Sequence, residues 1–229
     1  MKKRLTLIQM DVHVNDVEYN YNRVQELLSQ SLSENPDIII LPETWNTGFY
    51  PSRELINISD KNGERTKSLL STFAKEHNVN IVGGSVAVAK NDVVFNTSYT
   101  YNRNGELVGE YSKMHGFSPA KEDQYFAGGT HTTHFELDGI PCSIVICYDI
   151  RFPELVRMAA LPGTELLFVP AQWPTMRLRH WQVLNEVRAI ENQLFLCAVN
   201  GCGTVGRVQS TGHSAVYDPW GTNLLEMDT

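Results

Sequence analysis

Apolar residues recur along this chain in two alternating rhythms. Short runs such as Leu5 to Gln9 and Ile38 to Leu41 read as strands. Val17, Tyr21, Val24 and Leu28, spaced four, three and four, mark one side of an amphipathic helix. Thr66, Leu70, Phe73 and His77 line a second helix, which leads into the β-branched run Asn80 to Val88, broken at Gly83 and Gly84. Turn signals at Asn91-Asp92 and Asn104-Gly105 separate Val93 to Tyr101 from Leu107 to Tyr111, a pattern of antiparallel hairpins. After a loop from Lys113 to Thr130, Asp138-Gly139 turns the chain into Cys142 to Ile146, a strand that delivers Cys147. Pro153 suits the first turn of the next helix, and Leu166 to Val169 is again strand-like. Val183, Val187, Ile190 and Leu194 repeat at four, three and four, predicting a long helix from about Arg177 before Phe195 to Val199 returns to strand. His213 to Tyr217 and Leu224 to Met227 close as a hairpin around Pro219-Trp220-Gly221. The alternation predicts a single α/β domain over residues 1–229, its mixed sheets covered by helices.

Composition narrows the setting. A chain of 229 residues can bury roughly 70% of its unfolded surface without staples. Its four cysteines, at 142, 147, 197 and 202, lack the spacing of a zinc knuckle or redox pair, so a reduced cytoplasmic protein is expected. The formal charge of −7, with no basic run beyond Lys2-Lys3-Arg4, argues against nucleic acid and anionic membranes as partners. Leu5 to Met10 is short, contains Gln9 and ends at Asp11 without a small-residue cleavage site, which reads as a first strand and not a signal peptide. No stretch approaches the roughly 20 apolar residues of a membrane helix.

The chemistry gathers at strand ends. Cys147 sits where an apolar strand gives way to a helix, a placement that exposes the thiol at the sheet edge near a positive helix end and favours thiolate. A cysteine nucleophile needs a base, an oxyanion donor and a group that handles the protons of leaving amine and attacking water. Glu43 follows Ile38-Ile39-Ile40-Leu41-Pro42, Lys113 follows Leu107 to Ser112, and Glu122 lies in the same loop as Lys113 beside its competitor Asp123. Each taken singly also reads as an ordinary loop acid, surface lysine or buried small thiol.

Other patterns fail on context. Gly201-Cys202-Gly203-Thr204-Val205-Gly206 spells a dinucleotide fingerprint, but Arg207 to Ser214 lacks helical periodicity and offers no helix N-terminus to a pyrophosphate. His131 and His134 stand three apart beside a strand and face opposite ways, as do Cys142 and Cys147, so neither pair predicts a metal or a disulfide.

Glu43, Lys113 and Cys147 occur in chain order within Leu41-Pro42-Glu43, Tyr111-Ser112-Lys113 and Ile146-Cys147-Tyr148-Asp149. In this the chain resembles the nitrilase superfamily of carbon-nitrogen hydrolases. The likeness extends to Arg151-Phe152-Pro153-Glu154, to Arg188-Ala189-Ile190-Glu191-Asn192-Gln193, and to Gly212-His213-Ser214 ahead of Asp218-Pro219-Trp220-Gly221. It implies a four-layer α-β-β-α sandwich and acyl transfer through a cysteine thioester, with no metal or organic cofactor. Glu43 would be the base, Lys113 and the Tyr148 N–H the oxyanion donors, and Glu122 the additional glutamate of many members. Cys147-Tyr148-Asp149-Ile150-Arg151-Phe152-Pro153-Glu154 looks like the Nit and omega-amidase branch, so an amide is the expected substrate and not a nitrile. Gln172-Trp173-Pro174 with His180-Trp181 is similar to bacterial omega-amidase-type members, which release ammonia from omega-amides such as 2-oxoglutaramate. The carboxylate of such a substrate calls for a cation, with Arg151, Arg177 and Arg179 as candidates, beside Tyr148 and Trp173 as substrate-binding residues. Arg151 could equally pair with Asp149 or Glu154. An N-carbamoyl amino acid hydrolase and a silent binding protein on the same fold are the competing readings. The resemblance also implies a homodimer, although the chain stops at Thr229, where relatives commonly continue.

Overall fold

The computed structural model describes residues 2–49, 52–205 and 208–229. Strand β1 (Leu5–Leu7) and strand β2 (Ile38–Ile40) run parallel, connected by helix α1 (Val17–Ser31), whose first turn is capped by Asp16 accepting from the Tyr19 N–H. Every residue of β2 is buried because both of its faces are covered. Ile39 joins Tyr21, Val24 and Leu28 of α1 in one cluster, while Ile38 and Ile40 point the other way into a second. The two-residue period of a strand thus feeds two cores.

The first sheet continues through α2 (Leu55–Ile58), β3 (Asp60–Lys61), α3 (Glu64–His77), β4 (Asn80–Val82), β5 (Val86–Lys90), β6 (Val93–Tyr101) and β7 (Leu107–Ser112). β2 pairs with β4 in parallel, β4 and β5 follow one another along one edge of β6, β7 takes the other edge, and β3 lies beside β5. The break between β4 and β5 falls at the two glycines. Gly84 has φ +60°, and a Cβ there would lie 2.0 Å from the Pro42 carbonyl oxygen, so only glycine lets this backbone press against the residue before Glu43. Thr66, Leu70 and Phe73 of α3 are buried as their spacing predicts; His77 is exposed at the helix end.

The second sheet is built from β8 (His134–Leu137), β9 (Ile140–Ile144), α4 (Pro153–Ala160), β10 (Leu166–Ala171), α5 (Leu178–Asn192) and β11 (Phe195–Asn200). A small ladder follows, β12 (Thr204–Val205) with β13 (Val208–Gln209), and then β14 (Ala215–Tyr217) and β15 (Asn223–Glu226). The order is β15-β14-β11-β10-β9-β8, with β9, β10 and β11 parallel at the centre. Ile38, Ile40, Val82 and Tyr111 of the first sheet share a core with Leu137, Ile144 and Phe168 of the second, so the sheets pack face to face. α1 and α3 cover one outer side, α4 and α5 the other, which is the expected α-β-β-α sandwich.

Two sequence expectations are corrected. The strand before Cys147 ends at Ile144, so Cys142 and Cys147 do not share it. A 3-10 turn (Cys147–Arg151) intervenes before α4 begins at Pro153. The repeat that predicts α5 is not its buried side either: Val187 is 38% and Ile190 43% exposed, whereas Trp181, Asn185, Arg188 and Ala189 are buried. That side is anchored by hydrogen bonds. The Trp181 indole donates to the His213 carbonyl over 2.8 Å, and Arg188 Nε donates to the Ile150 carbonyl over 3.0 Å, so polar groups with fixed partners outcompete the aliphatic stripe for the interior.

Candidate active site

Three strand ends converge on one point. Glu43 lies just beyond β2, Lys113 directly follows β7, and Cys147 begins the turn beyond β9; all three side chains are buried. The turn holds Cys147 at φ +48°, a left-handed conformation that costs a non-glycine residue about 1–3 kcal/mol and aims its side chain off the sheet edge. The thiol is not openly exposed as the sequence suggests. It is 6% exposed and lies on the wall of a pocket of about 580 Å³.

Lys113 Nζ donates to Glu43 Oε1 over 2.8 Å and to Glu122 Oε1 and Oε2 over 2.9 and 2.8 Å. Asn96, on β6, donates to both Glu43 Oε1 (2.9 Å) and Glu122 Oε1 (3.2 Å). The backbone N–H of Gln172 holds the second Glu43 oxygen, donating to Oε2 (2.9 Å), and that of Phe117 adds a further bond to Glu122 Oε2 (2.7 Å). Each carboxylate is therefore fixed by several donors and neither is free to rotate. Asp123, the alternative to Glu122, is exposed.

Burial raises the Glu43 carboxyl above the usual carboxylate range, and the negative Glu122 pushes the same way against the attraction of Lys113. Burial also lifts the Cys147 thiol well above its ordinary value, reinforced by the negative charge of Glu43. Burial and the Glu43 charge thus both work against ionisation of the sulfur, opposite to the helix-end effect that the sequence suggests. Burial opposes the charge on Lys113, yet Glu43 and Glu122 together hold its ammonium well above the ordinary lysine value.

A second set of contacts ties the lysine strand to the cysteine turn. Asp149, fully buried, accepts from the Tyr111 hydroxyl (2.7 Å), the Ile146 N–H (3.0 Å) and the His115 N–H (2.9 Å), and His115 Nδ1 lies 2.9 Å from the same oxygen. Asp149 is thereby committed to these groups and makes no ion pair with Arg151. Arg151 instead lines the pocket over the Trp173 ring at 4.8 Å and 5.7 Å from the Tyr148 ring. Tyr148, Trp173 and Arg177 line it too; Arg179 is exposed elsewhere on α5.

Sequence reasoning did not single out Asn96, although an asparagine within an otherwise β-branched and aromatic strand signals a polar group turned inward. It also missed the pocket walls supplied by Phe49, Phe117 and Cys202. The rejected glycine pattern runs into the β12–β13 ladder and not a helix, with Gly206 and Arg207 outside the described residues.

A thiol on the pocket wall, with a buried carboxylate and a buried ammonium beside it, defines a hydrolase that works through a cysteine. The carbon-nitrogen hydrolase family profile matches residues 4–229. A 2-oxoglutaramate amidase of Bacillus subtilis (strain 168) is 40% identical over 226 residues, covering 99% of this chain and 86% of its own. A CN-hydrolase superfamily protein of Xanthomonas campestris, solved with an arsenic adduct in the active site, superposes with a TM-score of 0.90. It is 31% identical and covers 100% of this chain and 87% of its own. The amidase from Nesterenkonia sp. AN1 superposes at 0.91 with 25% identity, over 99% of this chain and 89% of its own. A glutamate-to-glutamine variant of it carries an acrylamide adduct on the active-site cysteine. This chain belongs to the carbon-nitrogen hydrolase family, and it is an enzyme with a Glu-Lys-Cys catalytic triad.

Proposed function

We propose that the protein hydrolyses the terminal amide of a small carboxylate-bearing omega-amide, releasing ammonia, with 2-oxoglutaramate and succinamate as representative substrates. The observation that carries this reading is the junction of a buried Glu43–Lys113–Glu122 cluster with a pocket lined by Arg151 and Arg177, neither of which has a carboxylate partner among the described residues. The likeness to a 2-oxoglutaramate amidase supports the same substrate class.

Cys147 Sγ attacks the amide carbonyl as Glu43 takes the thiol proton, forming the C–S bond. The tetrahedral oxyanion is received by the Lys113 ammonium and by the Tyr148 N–H, which belongs to the first turn of a helical segment and so has no acceptor of its own there. Collapse breaks the C–N bond, and the Glu43 proton leaves with the nitrogen as ammonia. A water then gives a proton to Glu43 and attacks the thioester. The second collapse breaks the C–S bond, returns the proton to sulfur and releases the acid. Glu122 positions and charges Lys113. Arg151, Tyr148 and Trp173 shape the substrate end of the pocket. Metal and cofactor have no step in this scheme.

The activity is assigned to one domain over residues 1–229 acting as a homodimer in the cytoplasm, on a small-molecule amide and water and without nucleic-acid or membrane partners. Val187 and Ile190 of α5, Met158 of α4 and Leu224 of β15 are exposed apolar side chains that a second copy could cover, and sizing in solution reads that state. Four free thiols fit a reducing compartment. No described helix is long and apolar enough to cross a membrane.

The test is an amide panel with ammonia as the readout. Turnover of 2-oxoglutaramate and succinamate that disappears in Cys147→Ala is the expected result. Carbon dioxide released with ammonia from N-carbamoyl amino acids would move the assignment to a carbamoylase, and a Cys147 inert to acyl probes would leave only a binding protein.

A further inference from the structure

The pocket of Cys147 concentrates positive charge in an acidic protein. Lys121, Arg151 and Arg177 are on its walls, and among the described residues no aspartate or glutamate is, although the chain carries a formal charge of −7. The two arginines arrive from different elements. Arg151 closes the turn that Cys147 opens, and Arg177 closes the 3-10 turn (Thr175–Arg177) before α5.

Neither guanidinium has a carboxylate partner among the described residues; both are braced by aromatic rings. Arg151 lies over Trp173, with His180 Nδ1 at 3.1 Å from its Nη2, and Arg177 lies 5.1 Å from the centre of the Phe117 ring. The two supports are linked, because the Trp173 indole N–H donates to the Arg177 carbonyl over 2.8 Å. One backbone contact thus fixes the ring under Arg151 relative to the residue that carries the second cation. Two like charges held on one wall without a counterion repel, and an anion placed between them relieves that repulsion while taking bidentate hydrogen bonds.

From this we infer that Arg177 is a specificity-determining residue, the second cation of a subsite that takes the distal carboxylate of the substrate together with Arg151. The inference rests on the omega-amide reading above. It assigns to Arg177 recognition of the substrate end that does not react, while the reacting amide is handled by Cys147, Glu43 and Lys113. Arg179, exposed on α5, has no part in it.

Succinamate and butyramide differ only in a carboxylate against a methyl group, so the ratio of their kcat/KM values reads this subsite alone. Any loss of folded enzyme cancels in that ratio. The wild-type ratio is measured first, and a wild-type enzyme that does not prefer succinamate overturns the omega-amide reading and this inference with it. Given that preference, Arg177→Met lowers the ratio about 10- to 100-fold, as expected for losing one charged hydrogen-bond partner, with the change in the KM for succinamate. Arg177→Lys, which keeps the charge and loses the fork, retains a ratio between the two. A ratio in Arg177→Met equal to that of wild type overturns the role of Arg177 and leaves the omega-amide reading standing.

Discussion

Lys113 Nζ lies 2.8 Å from Glu43 Oε1, and the two side chains are 2% and 0% exposed. The ammonium therefore touches the base directly, and Glu122 on its other side gives the cluster two carboxylates for one cation. An excess of negative charge buried beside a thiol is unfavourable in the resting state. It keeps Glu43 basic enough to take a proton, and it leaves Lys113 in place for the oxyanion that replaces the lost charge.

Replacing Glu122 by glutamine keeps the shape of the side chain and removes its charge. Lys113 loses an ionic acceptor at 2.8 Å, and the neutral amide holds the ammonium less firmly. A fall in kcat of about 10- to 100-fold is expected, with a smaller change in KM. Steady-state kinetics on a single amide measure it, and an unaltered kcat would remove Glu122 from the positioning of Lys113.

The pH profile follows from the raised Glu43 carboxyl. Activity needs Glu43 ionised, and a higher pKa means that protonation begins at a higher pH, so kcat/KM falls on the acid side before an ordinary carboxylate would titrate. The negative Glu122 contributes to raising it, so in Glu122→Gln the acid limb moves to lower pH. A profile whose acid limb stays fixed in that variant would show that another group controls it.

Asp149 offers a separate test of architecture. As a carboxylate it accepts from Tyr111, Ile146 and His115, whereas an amide presents one acceptor oxygen and, whichever way it turns, sets its NH2 against a backbone N–H that can only donate. Asp149→Asn is expected to destabilise the fold by about 2–4 kcal/mol, read as a lower urea midpoint at unchanged slope. A midpoint within error of wild type would mean that the Cys147 turn and the Lys113 strand are held by packing alone.

Glu43, Lys113 and Cys147 were legible in the sequence because each ends a recognisable apolar run, and in α/β proteins such ends collect reactive groups. Glu122 was legible as one of two acids in the Lys113 loop, favoured by the resemblance, and the geometry separates it from Asp123, which is exposed. Asn96 and Asp149 were not singled out, since one asparagine in a strand and one aspartate after a cysteine have no periodic signature. Their importance lies in partners 53 and 38 residues away along the chain. The buried side of α5 was hidden for a related reason: aliphatic spacing reports greasy residues, and here Trp181 and Arg188 win the interior through specific hydrogen bonds.

The sequence by itself determined the alternation of strands and helices, the sandwich that its resemblance implies, and the three residue types needed for acyl transfer. These are local properties, written in spacing and in short motifs. Only the tertiary structure decided that Cys147 lies buried on the pocket wall, that Asn96 bridges two carboxylates, and that Arg151 and Arg177 face one pocket. Desolvation and charge coupling depend on which groups the folded chain brings within a few ångströms, and that depends on the packing of the whole sandwich.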